Sequence, residues 1–200
     1  MNRGLMLAVG ATTALLLVAA SLLFACSRDR GPHSGLCPCQ DSGVLVDPGL
    51  VAYLSRARAA HHVADGHEAL GDLSAAALEL DRLVAAPRPA GATVYAEVDE
   101  VLADTHARLA DLRSRLGDFD AAARHVQVGL ASARKPTYFR GHLFEVLGLV
   151  HERQSAALKA QGDRVRAEAA RRRALDAFEH AMQIQDSVIR DAVKKQERRQ

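Results

Sequence analysis

The chain of 200 residues has no tryptophan, three tyrosines and five phenylalanines, so aromatic residues make up only 4% of it. Charge of one sign is missing too, since 26 Lys and Arg stand against 24 Asp and Glu for a formal net charge of +2. Neither a whole-molecule attraction to nucleic acid nor an aromatic-studded basic surface can be built from this, so no nucleic-acid partner is expected. Also absent are HExxH, CxxCH and any close carboxylate–histidine pattern, and no glycine-rich phosphate loop exists because the glycines stand singly at helix ends. Neither catalysis nor a bound cofactor is expected. What is present is 48% hydrophobic and 25% charged residues, a composition that fits one modest helical domain rich in Ala, Leu and Arg.

The first 26 residues stand apart from the rest. Met1-Asn2-Arg3 precedes an uncharged apolar stretch from Leu5 to Phe24 that ends in Ala25-Cys26, which reads as an export signal or a membrane anchor. Leu23-Phe24-Ala25-Cys26 resembles a bacterial lipobox, with Phe24 departing from the small residue usual at its place. The resemblance implies that Cys26 is diacylated and becomes the new N-terminus, and Ser27 after it resembles the outer-membrane sorting pattern. The alternative is an uncleaved helix, since twenty apolar residues are just long enough to span a bilayer. Either outcome places the chain at a membrane of the bacterial cell envelope, facing the periplasm, with an outer-membrane lipoprotein as the first expectation.

Residues 27–47 are rich in Gly, Pro and Ser and read as a flexible linker. Within it Cys37 and Cys39 flank one proline, with His33 close by. A single CxC lacks the paired spacing of a zinc site, so a disulfide or idle thiols is the first reading in an exported chain. A periplasmic metal or redox carrier using Cys37, Cys39 and the histidines is the alternative function.

From residue 48 to 198 the chain is punctuated by a Gly-Asp pair, at Gly71-Asp72, Gly117-Asp118 and Gly162-Asp163, spaced 46 and 45 residues apart. Glycine takes the left-handed conformation that ends a helix and aspartate caps the next, so each pair predicts a tight helical hairpin. Asp47-Pro48 opens the first helix, predicted over Pro48 to Leu70 and returning from Leu73 to Ala86. Pro87 and Pro89 stop it; the second hairpin is predicted over Thr93 to Leu116 and Phe119 to Ala133. Lys135-Pro136-Thr137 breaks the chain again, and the third hairpin is predicted over Tyr138 to Gln161 and Arg164 towards Lys195.

These residues resemble the tetratricopeptide repeat, a helix-turn-helix unit with a small residue packed in its first helix and an Ala-x-x-x-large-x-x-small string in its second. The first repeat offers Val63-Ala64, then Ala76, Leu80 and Leu83; the second, Leu109-Ala110, then Ala122, Val126 and Gly129; the third, Leu147-Gly148, then Ala174, Phe178 and Ala181. His67, Arg113 and His151 stand where the repeat commonly has an aromatic. In the third unit both helices gain seven residues beside the bend, close to two turns, which lengthens both arms equally and keeps their inward faces in register. The resemblance implies an all-α solenoid of three repeats. It also implies an adaptor that works through its surface, as in bacterial lipoproteins that help assemble envelope machinery. Three repeats make a marginal stack whose exposed ends invite a homo-oligomer or capping by a partner.

In such solenoids the first helices line a groove, at offsets of −6, −3, +1 and +4 from the packed small residue. Those offsets give Arg58, His61, Asp65 and Glu68, then Asp104, Ala107, Asp111 and Ser114, then His142, Glu145, Leu149 and Glu152. Six acids face one arginine, so the expected partner is another protein offering a basic segment. His67, His106 and His151 fall on the stripe of small residues and are expected to be packing histidines. A cationic cluster, Arg164, Arg166, Arg171, Arg172 and Arg173, crowds the start of the last helix, where Glu152 or an outside anion is expected to compensate it.

Overall fold

The computed structural model describes residues 47–89 and 95–199. Cys26, Cys37, Cys39 and the predicted start of the third helix at Thr93 lie outside them. Six helices follow one another: α1 Pro48–Ala69, α2 Leu73–Val84, α3 Ala96–Arg115, α4 Phe119–Ser132, α5 Tyr138–Ala160 and α6 Arg164–Glu197. There is no strand among the described residues, and no helix there is long and apolar enough to cross a membrane.

The three bends share one construction. Gly71, Gly117 and Gly162 have φ of 79°, 83° and 84°, a region that a side chain at Cβ disfavours. In each, the N–H of the following aspartate bonds to the carbonyl five residues back, as Asp72 to His67 at 2.9 Å, Asp118 to Arg113 at 2.9 Å and Asp163 to Leu158 at 3.0 Å. The same aspartate turns its carboxylate forward to the N–H of Ala75, Ala121 or Arg166, capping the next helix. One dipeptide thus satisfies polar groups of two helix ends. The entry to α1 is held similarly, with Asp47 accepting from Gly49 and Leu50 and, from the start of α3, the hydroxyl of Tyr95.

Helices α1 and α2, α3 and α4, and α5 and α6 pair as hairpins, and the hairpins stack. Successive first helices touch, α1 with α3 and α3 with α5, while each second helix meets the next first helix, α2 with α3 and α4 with α5. Among the described elements the second helices do not touch one another, so α1, α3 and α5 form the more closely spaced layer. The core is continuous across the junctions. One cluster joins Ala64, Ala76, Ala77 and Leu80 to Leu109 and Leu112, and another joins Ala103, Ala107, Ala110, Ala122 and Val126 to Leu143, Val146 and Val150. A third ties Tyr53 to Val98 and Leu102.

The longer third hairpin keeps the register of the other two. Ala64 shares a cluster with Leu80, and Ala110 with Val126, while Gly148 lies so close to Phe178 that an added Cβ would come within 2.5 Å of its ring. Where the second helix brings a phenylalanine in place of an aliphatic residue, the first helix has glycine in place of alanine. Helix α6 buries only alanines, Ala167, Ala170, Ala174, Ala177 and Ala181, at the 3-4-3-4 spacing of a helix seam. It also outruns its partner: the Gln185 amide donates to the Tyr138 carbonyl at the start of α5, and α6 continues to Glu197.

Replacing Gly117 by Ala is expected to cost about 1 kcal/mol of unfolding free energy, because the new side chain inherits a left-handed backbone. Gly148→Val should cost more, on the order of 2–3 kcal/mol, by forcing Phe178 off its seat. Urea unfolding of the two variants beside the parent checks both values and their order.

Candidate functional site

The first-helix layer carries a lattice of charge that crosses both hairpin junctions. From α3, Arg108 reaches back to α1, donating through Nη2 to Asp65 Oδ1 at 2.6 Å and Glu68 Oε1 at 2.5 Å, and through Nη1 to the carbonyl of His61 at 3.2 Å. Arg115 adds a bond to Glu68 Oε2 at 2.6 Å and lies 3.5 Å from Asp111 Oδ2 on its own helix. From α5, Arg153 reaches back to α3, meeting Asp111 Oδ1 at 2.8 Å and Ser114 Oγ at 2.6 Å. The bonds from Arg108 hold the Asp65 carboxyl below its ordinary range, and those from Arg108 and Arg115 lower Glu68 against the opposing effect of burial.

His61 belongs to the same lattice, and its neighbours fix its tautomer. Thr105 Oγ1 donates to the carbonyl of Val101 at 2.7 Å, which leaves it only lone pairs for His61 Nε2 at 3.0 Å. Nε2 therefore carries the proton, and Nδ1 accepts from Arg108 Nη1 at 3.4 Å. Burial lowers the pKa of this imidazole against the opposing pull of the Asp104 carboxylate, with the Arg108 cation assisting.

The residues anticipated for a groove are thus divided. Asp65, Glu68, His61, Asp111 and Ser114 come together, but not as open acids. Ser114 is buried, and so is Ala107; each is filled by its own neighbours and is not free to face a partner. Asp104 is half-buried and Arg58 exposed on the same layer. His142 and Glu145 pair with each other at 3.2 Å, with the His142 ring stacked 5.8 Å from Tyr138. Glu152 lies apart, lining an open cleft of about 750 Å³ between α5 and α6 with Lys159, Arg164, Glu168 and Arg171. It shares that cleft with part of the cationic cluster but makes no ion pair with it at 4.0 Å or less. Leu149 is half-buried.

Arg108, Arg115 and Arg153 are the residues that the offset rule missed. They stand two before and five after Ala110 and five after Gly148, about 20–40° beyond the edge of the anticipated stripe at 100° per residue. That edge faces the preceding hairpin. With them counted, the layer holds six acids (Asp65, Glu68, Asp104, Asp111, Glu145, Glu152) and four arginines (Arg58, Arg108, Arg115, Arg153), an excess of two acids in place of the five expected from six against one.

A second polar group lies inside the second hairpin, facing α2 of the first. His106 on α3 is buried, and its Nδ1 lies 3.2 Å from Nδ1 of His125 on α4. His125 Nε2 stands 3.9 Å from Asp81 Oδ1 on α2, whose other oxygen takes Arg113. With Nε2–H of His125 directed at the carboxylate, His125 Nδ1 is the acceptor and His106 Nδ1–H the donor. Burial, then the adjacent His125, pushes His106 down to about 4, and burial lowers His125 as well. His151 is half-buried and donates to Gln154 Oε1 at 3.3 Å; His67 is half-buried at the end of α1. Among the described residues no three His, Cys, Asp or Glu side chains come together as a metal site.

What these elements define is an all-α stack of three hairpins with a cross-braced charged face. No family model, curated protein or solved structure matches the chain.

The imidazole pair, His106 buried and His125 half-buried, gives the fold a pH dependence. His106 and His125 stay neutral in the fold while the unfolded chain takes up protons near the ordinary value of 6.5. The unfolded state then binds more protons, so stability is fully present above about 6.5 and falls as pH drops towards about 4. The loss attached to His106 is on the order of 3 kcal/mol once both steps are passed. Urea midpoints between pH 7.5 and 5, above the range where the carboxylates titrate, should fall in the parent and fall less steeply in His106→Leu.

Proposed function

We propose that the chain is a membrane-tethered adaptor, a short tetratricopeptide-like solenoid that holds a segment of another protein against its first-helix layer. The observation that supports it most is the lattice itself, in which Asp65, Glu68 and Asp111 are braced by Arg108, Arg115 and Arg153 from the following hairpin. Such bracing fixes three helices in one register and presents carboxylates whose positions are set before a partner arrives, which lowers the ordering cost of binding. The remaining excess of two acids favours a segment of modest positive charge, steered by complementary potential. A strongly basic segment has to displace arginines already in place.

The tether in this reading is Cys26 with its acyl chains, or the apolar stretch before it retained as a helix, and the site of work is the cell envelope on the periplasmic side. Intact-mass measurement on the chain purified from its host distinguishes the two. Lipidated protein beginning at Cys26 is expected, and an unprocessed Met1 would establish the retained helix.

Photo-crosslinkers placed at Arg58 and Glu145, both exposed on the first-helix layer, are expected to give one discrete adduct in the host membrane. Crosslinkers at Leu78 and Val128, exposed on the second-helix layer, are expected to give none. The yield should fall when ionic strength rises from about 0.1 M to 1 M, which shortens the screening length from about 10 Å to 3 Å. Equal adducts from both layers would sink the proposal.

A further inference from the structure

The first two hairpins are each covered by the next, and the covering helix brings the same short pattern to both junctions. It is an apolar residue, a second three positions on and an arginine three beyond that: Leu109, Leu112 and Arg115 on α3, and Leu147, Val150 and Arg153 on α5. The apolar pair packs with the second helix of the covered hairpin, Leu109 and Leu112 with Ala76, Ala77 and Leu80, and Val150 and Leu147 with Ala122 and Val126. The arginine meets the residue four positions after the covered hairpin's packed small residue, Glu68 in one case and Ser114 in the other.

The third hairpin has the receiving half of this junction and, among the described residues, nothing upon it. Four positions after Gly148 stands Glu152, exposed and outside the ion pairs of the described residues. One and eight positions after the packed Ala174 stand Leu175 and Met182, which correspond to Ala77 and Val84 on α2 and to Ala123 and Leu130 on α4. Ala77 is fully buried, and Val84 and Leu130 pack on core clusters, whereas Leu175 is 54% and Met182 60% exposed. Helix α6 meets α5 alone among the described elements and does so through its alanine seam and Phe178, while Leu175 and Met182 stay exposed. Ile189 and Val193, also exposed, continue the row, and at 100° per residue all four lie within about 40° of one another. A row of this kind on a helix otherwise charged marks a surface that something covers.

The slot does not suit a second copy stacked head to tail. Helix α1, the one such a copy would present, has Val63, Gly66 and Ala69 at the three places of the pattern, with no arginine. We infer that the free side of the third hairpin docks an amphipathic helix of another protein that carries two apolar residues and an arginine at successive spacings of three. Its apolar pair covers Leu175, its preceding turns cover Met182, and its arginine closes on Glu152. Lys159, Arg164 and Arg171 share the cleft with Glu152, so the apolar row supplies the larger share of the affinity. This surface is at the end of the stack and shares only Glu152 with the first-helix layer, and its apolar row stands whether or not that layer binds anything.

The probe is a fluorescein-labelled peptide with the sequence of residues 96–115, which carries Leu109, Leu112 and Arg115. It is titrated into the full chain in detergent, with empty micelles as the blank. Saturable binding at a Kd of about 1–100 μM is expected. Leu175→Ser combined with Met182→Ser should weaken it by about tenfold or more, and Glu152→Arg by about fivefold. A peptide with Glu in place of Arg115 should recover affinity for the Glu152→Arg chain, which a general loss of folding or a non-specific apolar contact would not give. Circular dichroism of each variant confirms that these exposed substitutions leave the helices formed. Absence of saturable binding up to about 1 mM, or binding that the substitutions leave unchanged, overturns the inference. So does sedimentation showing that the chain self-associates through Leu175 and Met182, because a second copy would then occupy the slot.

Discussion

Everything in this chain depends on a residue with no side chain followed by one with a short acid. At Gly71-Asp72, Gly117-Asp118 and Gly162-Asp163 the backbone reverses within two residues because glycine accepts a positive φ and aspartate serves both helix ends. A looser connection would let the arms of a hairpin slide, and the packing described here tolerates little sliding. Gly148 fits only Phe178, and Gly129 lies close enough to Leu143 that an added Cβ would come within 2.6 Å. With bends that tight, cores made largely of alanine become workable, because small side chains let helices approach closely where long ones would hold them apart.

Most of the fold was legible in the sequence for the same reason. Helix ends are governed by local rules, and the predicted limits of α1, α2, α4 and α5 stand within two residues of the observed ones. Even the enlarged third hairpin could be read, since equal growth of both arms leaves the contact of Gly148 with Phe178 in place. The charged face was less legible. Asp65, Glu68 and Asp111 could be assigned to one side of their helices by angle alone, but which cations meet them depends on how neighbouring hairpins sit. Arg108, Arg115 and Arg153 lie on helix edges whose importance appears only once the hairpins are stacked. The histidine pair has the same origin: His106 was expected to pack, but nothing local links it to His125, nineteen residues away.

Junction chemistry rather than surface chemistry therefore explains where the charges lie. Each arginine of the lattice does two things, completing the carboxylates of one hairpin and fixing the angle at which the next is laid down. Partial exposure keeps the strength of any single pair modest, and the value of the set is in register, because several geometrically demanding bonds must be made together. The two paired imidazoles add a different kind of constraint. They tie α2, α3 and α4 through one hydrogen bond and the approach of a neutral ring to the Asp81 carboxylate, which together define a tautomer on each ring.

Helix α6 outlasts the hairpin to which it belongs. Gln185 lies level with the first residue of α5, so the twelve residues from Asp186 to Glu197 extend the rod by about 18 Å at 1.5 Å per residue. Lys194 and Lys195 stand near its tip. A rod rooted along an alanine seam and free at its far end acts as a lever: whatever grips the tip sets the tilt of the entire stack. A hold at that tip would turn a tumbling body into an oriented one.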